Sequence, residues 1–255
     1  DVPIHSVRVG PAISSDSIRT KYLADSAGAV VDATWQMEQY DVLSAHYTSL
    51  AGKKQLEEVE WELERLRTTQ SPHLLNILAA SLSRRDDSAD ESLKGWKMIV
   101  VTERPQGPTL RSILEQCDRL PWSKARIYAR GLLSALQALH TSSLVHRSLS
   151  AAVVYVGSSA GRTRAADGAF SFKVSDASYH RRLLDMDKSE AFNVAAREFD
   201  TEDFPKAWEA PECINEPTVY SRNRDTWDLG RLLCQMRDPR FSECQQTASM
   251  ALMGG

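Results

Sequence analysis

The sequence predicts an α+β chain whose first part is rich in antiparallel strands and whose second part is mainly helical. Two patterns carry that expectation. Residues 1–50 alternate apolar and polar positions between turn-forming residues, as strands with one buried face do. Further on, apolar residues recur at three- and four-residue steps. They do so at Leu56, Val59, Leu63 and Leu66, and again at Ile127, Leu132, Leu133, Leu136 and Leu139. That is the period of helices buried along one stripe.

The elements follow in order. Val7–Ile13, Ile18–Ala24 and Gln39–Tyr47 are expected as strands. The Gly10-Pro11-Ala12-Ile13-Ser14-Ser15-Asp16 stretch between the first two reads as an ordinary hairpin. A helix over Lys54–Thr68 places Glu57, Glu58, Glu64 and Arg65 away from its apolar stripe. Leu74–Ser83 and Trp96–Val101 are the next strands, joined by a polar loop over Arg84–Leu93. Thr109 caps a helix over Leu110–Cys117, and Trp122-Ser123 opens a longer one over Lys124–His140. His140 is expected to pack or cap at the end of that helix rather than to bind a metal. Val153–Val156 and Phe170–Val174 form a hairpin around the Gly-, Ser-, Ala- and Arg-rich stretch that begins at Gly157.

Composition excludes several classes of function. The chain has 255 residues, 42% hydrophobic and 25% charged, and a net charge of −3 with both signs interspersed. That gives no broad positive field for nucleic acid or anionic lipid. No apolar run reaches the length of a membrane span, and no signal-peptide pattern opens the chain. The first residue, Asp1, predicts a piece of a longer protein. Cys117, Cys213, Cys234 and Cys244 are far apart and form no C-x-x-C pair, so reduced thiols are expected rather than a zinc site or a disulfide framework.

Six stretches then occur in a telling order. They are Ser71-Pro72-His73-Leu74-Leu75, Thr102-Glu103-Arg104-Pro105-Gln106-Gly107, Val145-His146-Arg147-Ser148-Leu149, Ser175-Asp176-Ala177-Ser178, Ala210-Pro211-Glu212 and Asp225-Thr226-Trp227-Asp228-Leu229-Gly230. Over residues 5–236 this series resembles the eukaryotic protein kinases, with H-R-D-L-x-x-x-N, D-F-G, A-P-E and D-x-W-x-x-G. The resemblance implies a two-lobed fold, an N-lobe over 1–104 and an incomplete C-lobe over 105–255, with Tyr220–Met236 as the long buried C-lobe helix.

Residue by residue, the resemblance implies a framework without its chemistry. His146, Arg147 and Leu149 match, but Ser148 stands for the aspartate that accepts the substrate proton and Val153 for the asparagine that binds magnesium. Asp176 matches the metal-binding aspartate, while Ala177 and Ser178 replace its phenylalanine and glycine. The strand lysine falls near Leu43 or Ser44, and no lysine lies between Gln39 and Gly52. Lys53 and Lys54 read as surface charges. The Gly-rich phosphate loop is reduced to one glycine, and Asp16 would bring negative charge toward a triphosphate. Thr102 takes the gatekeeper position and Glu103 opens the hinge. Pro105 falls where a backbone N–H would donate to adenine, and proline has none.

Glu62 corresponds to the helix glutamate and, without the lysine, is expected as a solvated carboxylate unless it has a partner elsewhere. Asp225 is expected to hold the catalytic-loop backbone, with Trp227 and Glu212 as further structural residues. Glu212 has no evident partner, because Ser242 stands where an arginine would pair with it. Arg147 would suit a phosphate on Ser189 or Thr201 in the activation segment.

Ile18–Asp25, Gly52–Leu56, Glu62–Leu66 and Asp225–Gly230 are in addition similar to the degenerate kinase-like domain of the starvation-sensing general control kinases. These phosphorylate the alpha subunit of a translation initiation factor. That resemblance implies a cytoplasmic pseudokinase that is not itself an enzyme and takes no cofactor or metal. Its partner would be the active kinase domain, in the same chain or in a dimer, with no nucleic acid and no membrane bound by this domain. A nucleotide-gated switch holding metal–ATP through Asp176 and a weakly active kinase with relocated residues are the two alternatives.

Overall fold

The computed structural model describes residues 3–26, 34–42, 50–85, 95–117, 119–157, 171–191, 210–213 and 220–238. They fall into two compact units. One comprises Asp1–Gln70, Leu75–Arg104 and Arg182–Asn193, and the other Ser71–Leu74, Pro105–Arg181 and Val194–Gly255.

The first unit is built on a five-stranded sheet, β1 (Val7–Ser15), β2 (Arg19–Ser26), β3 (Trp35–Val42), β4 (Ile77–Arg85) and β5 (Gly95–Glu103), in the order β1-β2-β3-β5-β4. All neighbours are antiparallel. Side chains alternate between faces, so cross-strand partners share one. One face carries the apolar cluster Ala24, Met37, Ala79 and Val101, with Ile4, Val7, Tyr22, Trp35, Leu78 and Ile99 packed against it. Helix α1 (Leu50–Thr68) packs beside β4 and buries Leu56, Val59 and Leu63.

Three expectations in this unit need correction. β3 begins at Trp35, not Gln39: the polar residues Gln36 and Glu38 are buried in the ladder, where the Glu38 carboxylate meets Gln36 and Lys21. Residues 43–47 of the expected strand, with Leu43 and Ser44, lie outside the described residues. β4 begins at Ile77, since Leu74 makes only an isolated bridge to Val174, and it continues through Arg84 and Arg85, which pair with Trp96 and Gly95. Those arginines extend a backbone ladder rather than open a loop. β1 is exposed beyond Val7 rather than half-buried, since it forms the edge of the sheet.

The second unit contains α2 (Leu110–Gln116), α3 (Trp122–Thr141), the hairpin β6 (Val154–Gly157) with β7 (Ser171–Val174), and α5 (Arg222–Arg237). Thr109 caps α2 by accepting from the Ser112 N–H at 3.2 Å, and Ser221 caps α5 by accepting from the Arg224 N–H at 3.1 Å. Helix α3 packs on α5 and β7, where Tyr128 stacks on Phe172 with ring centroids 5.7 Å apart.

The buried stripe of α3 is Ala125, Tyr128, Gly131, Leu132, Ala135, Leu136 and Leu139. Ile127 and Leu133 were expected in it, yet they are 48% and 55% exposed. The true stripe runs through small residues and a tyrosine, so counting aliphatic positions alone shifts its phase. A further helix, α4 (Tyr179–Ala191), was not expected and lies where an activation segment was read. Its first three residues belong to the second unit and its remainder to the first. Among the described residues, no helix is long and apolar enough to cross a membrane. Cys117, Cys213 and Cys234 are free thiols.

Candidate functional site

In the second unit the site is organised around one buried carboxylate. Asp225, in the first turn of α5, accepts from the His146 N–H at 2.8 Å and the Arg147 N–H at 3.1 Å, and lies 2.8 Å from His140 Nε2. His140 therefore buttresses Asp225. One side chain thus ties the end of α3 to the loop at His146 and Arg147 and satisfies N–H groups that would otherwise be costly.

His146 is fully buried. Its Nε2 sits 3.1 Å from the Ser175 carbonyl, and Nδ1 accepts from the Ser148 N–H at 3.4 Å. Burial pushes its pKa down despite the nearby Asp225 and Asp176 carboxylates, so the ring is neutral. Neutral imidazole, donating through Nε2 and accepting at Nδ1, is the form these two contacts require. The His146 carbonyl in turn accepts from the Ser178 N–H at 2.9 Å, tying the loop to the segment around Asp176.

Arg147, Asp176 and Ser178 all have positive φ, at 75°, 56° and 67°. Non-glycine residues hold that conformation only where the surroundings impose it. Ser178 occupies the glycine position of the kinase motif and is fully buried, with no partner for its hydroxyl among the described residues. The conformation of this segment has been kept at the expense of strain and an unmatched hydroxyl.

Ser148 and Val153 lie in the same loop, Ser148 half-buried and Val153 in the single 3-10 turn before β6. Neither supplies a carboxylate. Among the described residues no group of three His, Cys, Asp or Glu side chains converges on a point that would hold a metal. Asp176 is the only acid of the expected metal set, so the residues present do not fit magnesium. Ala177 is buried beside it. The Arg147 guanidinium lies 4.9 Å from the centre of the Tyr220 ring, Arg224 lies 4.6 Å from it, and Arg181 Nε donates to the Tyr220 hydroxyl at 3.0 Å. Glu212 is exposed and its Oε1 is 3.4 Å from Ser221 Oγ, so it needs no buried partner. Trp227 faces outward and is 40% exposed. Thr201 and Ser242 lie outside the described residues.

The first unit holds two charged clusters that local sequence patterns did not bring together. Glu62 is 3% exposed, so the solvated reading fails and the alternative, a partner elsewhere in the chain, holds. Its Oε1 accepts from Arg182 Nη2 at 2.8 Å and Nε at 3.1 Å, and Arg182 Nη1 also reaches Gln55 Oε1 at 2.9 Å and Glu58. Gln55, Glu58 and Glu62 are one stripe of α1, and an arginine of α4 closes on all three. Burial works against the Arg182 charge, but Glu62 and Glu58 outweigh it and hold the guanidinium above its ordinary pKa. The spacing of Tyr179, Leu183 and Met186 was the available signal for α4.

The second cluster lies on the sheet face opposite the apolar one. Glu38 is buried, and its Oε1 receives Gln36 Nε2 at 3.1 Å and Lys21 Nζ at 3.3 Å. Its Oε2 receives the Tyr40 hydroxyl at 3.1 Å and Arg19 Nη1 at 3.5 Å. Thr102, the expected gatekeeper, pairs with Gln36 and shares this face. The hinge beside it has little to offer a ligand. The Glu103 N–H donates to the Asn76 carbonyl at 3.1 Å, the Arg104 N–H donates to the Thr34 carbonyl at 2.8 Å, and Pro105 has no N–H. The Glu103 carboxylate is itself engaged, accepting from the Asn76 N–H at 2.9 Å.

A family model of protein tyrosine and serine/threonine kinases matches residues 21–249. The chain belongs to the protein kinase family. Among curated relatives, this kinase chain is 28% identical over 206 residues to the eIF-2-alpha kinase GCN2 of Schizosaccharomyces pombe, a match covering 80% of the chain and 12% of that protein. The human eIF-2-alpha kinase GCN2 is 28% identical over 184 residues, or 72% of the chain and 9% of that protein. The mitogen-activated protein kinase kinase kinase ANP1 of Arabidopsis thaliana is 24% identical over 257 residues, or 99% of the chain and 34% of that protein. The chain thus spans about an eighth or less of the two GCN2 proteins. These findings overturn the expectation of a non-enzyme drawn from Ser148 and Val153. The family is one of enzymes, and the relatives are named as kinases.

Proposed function

We propose that this kinase-family chain is the regulatory, pseudokinase-type domain of a longer eIF-2-alpha kinase, and that it acts by contact on an active kinase domain in the same polypeptide or in a dimer. The observation that carries this reading is the catalytic loop. Asp225 holds the loop backbone as the family requires, while the two positions that would accept a proton and bind a metal are Ser148 and Val153. Phosphoryl transfer depends on positioning and charge stabilisation, and both of those groups are missing here. The engaged hinge N–H groups and the Glu38 and Glu62 clusters support the same reading. A cytoplasmic setting goes with translation control.

The test combines two measurements on the longer polypeptide and on this chain. Deleting the domain should lower kinase activity of the polypeptide, whereas unchanged activity would sink the regulatory role. A thermal melt of the chain should show no shift with millimolar Mg-ATP, because a ligand that binds only the folded state raises the melting temperature. A saturable, metal-dependent shift would favour the nucleotide-gated alternative, in which Asp176 still holds the metal.

A further inference from the structure

Two helices of this chain carry outward strips of opposite charge, each centred on exposed aromatic or aliphatic groups. On α1 the strip is Glu57, Glu60, Trp61 and Glu64, all exposed. These residues sit at three- and four-residue steps; Glu57 and Trp61 turn away from Leu56, Val59 and Leu63, while Glu60 and Glu64 flank Leu63 at a cavity shared with Ala80, Ser81 and Leu82 of β4. Glu57 and Glu60 have no ion-pair partner among the described residues, Glu64 pairs with Arg67 at 3.0 Å, and the Arg65 guanidinium lies 5.0 Å from the centre of the Trp61 ring at the edge of the strip. Carboxylates stacked this closely repel one another unless a cation lies against them.

On α3 the strip is Trp122, Arg126, Ile127, Arg130 and Leu133. Trp122 is 67% exposed, and the Arg237 guanidinium lies 4.0 Å from its ring centre. Arg126 and Arg130 are exposed and have no ion-pair partner among the described residues. The helix contains no acidic residue from Trp122 to Thr141. Exposed Trp, Ile and Leu beside unpaired arginines form the kind of surface that protein interfaces use, with arginine and aromatic residues at the contact.

We infer that the α1 strip of one copy docks on the α3 strip of a second copy, so that the chain self-associates through Glu57, Glu60 and Trp61 against Trp122, Arg126, Arg130 and Leu133. The occupant follows from charge. The α3 strip offers only cations, and the complementary acidic strip of matching helical spacing is present on the same chain. The contact joins unlike strips, so each copy brings one of each kind and association grows with concentration. The inference stands on these strips and does not depend on the regulatory role proposed above.

Charge reversal with complementation tests it. Sedimentation of the chain up to ~100 µM should show self-association that weakens as salt rises. Arg126→Glu/Arg130→Glu should weaken it about tenfold or more, and Glu57→Lys/Glu60→Lys should do the same. An equimolar mixture of the two variants should associate again, because each reversed strip then meets its opposite in the other molecule. A misfolded variant would not be rescued in that way, and all the substituted side chains are exposed. A chain that stays monomeric at ~100 µM overturns the inference. So does association that survives both reversals, or loss of association that mixing does not restore.

Discussion

Replacing Arg182 by methionine tests how α4 is attached to α1. Arg182 is 17% exposed and meets Glu62, which is almost fully buried, and Glu58, which is 41% exposed. Breaking a buried ion pair by removing one partner costs about 3–5 kcal/mol, because the remaining charge is left uncompensated. The exposed Glu58 contact adds little, and partial solvent access to Arg182 screens some of the rest. An expected loss of about 2–4 kcal/mol follows, or roughly 4–16 °C in melting temperature at this chain length. Urea titration and calorimetry would measure it, and hydrogen exchange would report whether Tyr179–Ala191 opens first. The double change Glu62→Gln with Arg182→Met should recover about 1–3 kcal/mol relative to the sum of the single changes, since the buried charge is gone. Strict additivity, or an Arg182→Met chain with unchanged stability and unchanged exchange in α4, would refute the reasoning.

Other expectations follow from the same geometry. Asp225→Ala leaves the His146 and Arg147 N–H groups without their acceptor and should cost about 3 kcal/mol or more in a urea titration; Asp225→Asn, which keeps one carbonyl acceptor, should cost less. Burial raises the Asp228 carboxyl from 3.8 to about 6, against the pull of Arg231. Its contribution to stability is therefore present below the unfolded pKa and lost as pH rises through the folded one, to the extent of about 2–3 kcal/mol. Asp228→Asn should gain on the parent chain by that amount between pH 4 and 7, and a difference that does not vary with pH would contradict it. Gly107 has φ +82°, and a Cβ there would lie 2.1 Å from the Val156 carbonyl oxygen, whereas a Cβ at Gly230 would meet nothing within 4 Å. Gly107→Ala should destabilise by about 2 kcal/mol or more, while Gly230→Ala, inside α5, should stabilise by about 0.5–1 kcal/mol by thermal melt.

What the sequence showed and what it concealed divide along physical lines. The catalytic-loop framework was legible because its residues keep fixed local spacing, and the strand–helix alternation because periodicity is local. The Arg182–Glu62 pair spans 120 residues, and nothing in the neighbourhood of either residue points to the other. Glu38 was hidden for a related reason. A carboxylate in a strand reads as surface until Lys21 and Arg19, on a different strand, are seen to face it. The outward position of Ile127 and Leu133 was missed because a buried stripe made of Ala125, Gly131, Ala135 and Tyr128 leaves a faint hydrophobic signal.

The rim of the five-stranded sheet has a consequence for how molecules of this protein can meet. β1 is the outermost strand, and a smooth strand there would invite a neighbour to add its own backbone in a growing ribbon. The pairing of β1 with β2 is broken twice, between Val9 and Ala12 and again between Ala12 and Ser14, and Pro11 falls in the first break. Proline removes a donor and the bulges bend the strand, so the rim cannot template a continuous ladder. Amyloid-like stacking is thereby discouraged on that side, and an encounter there is decided by side chains rather than by main chain.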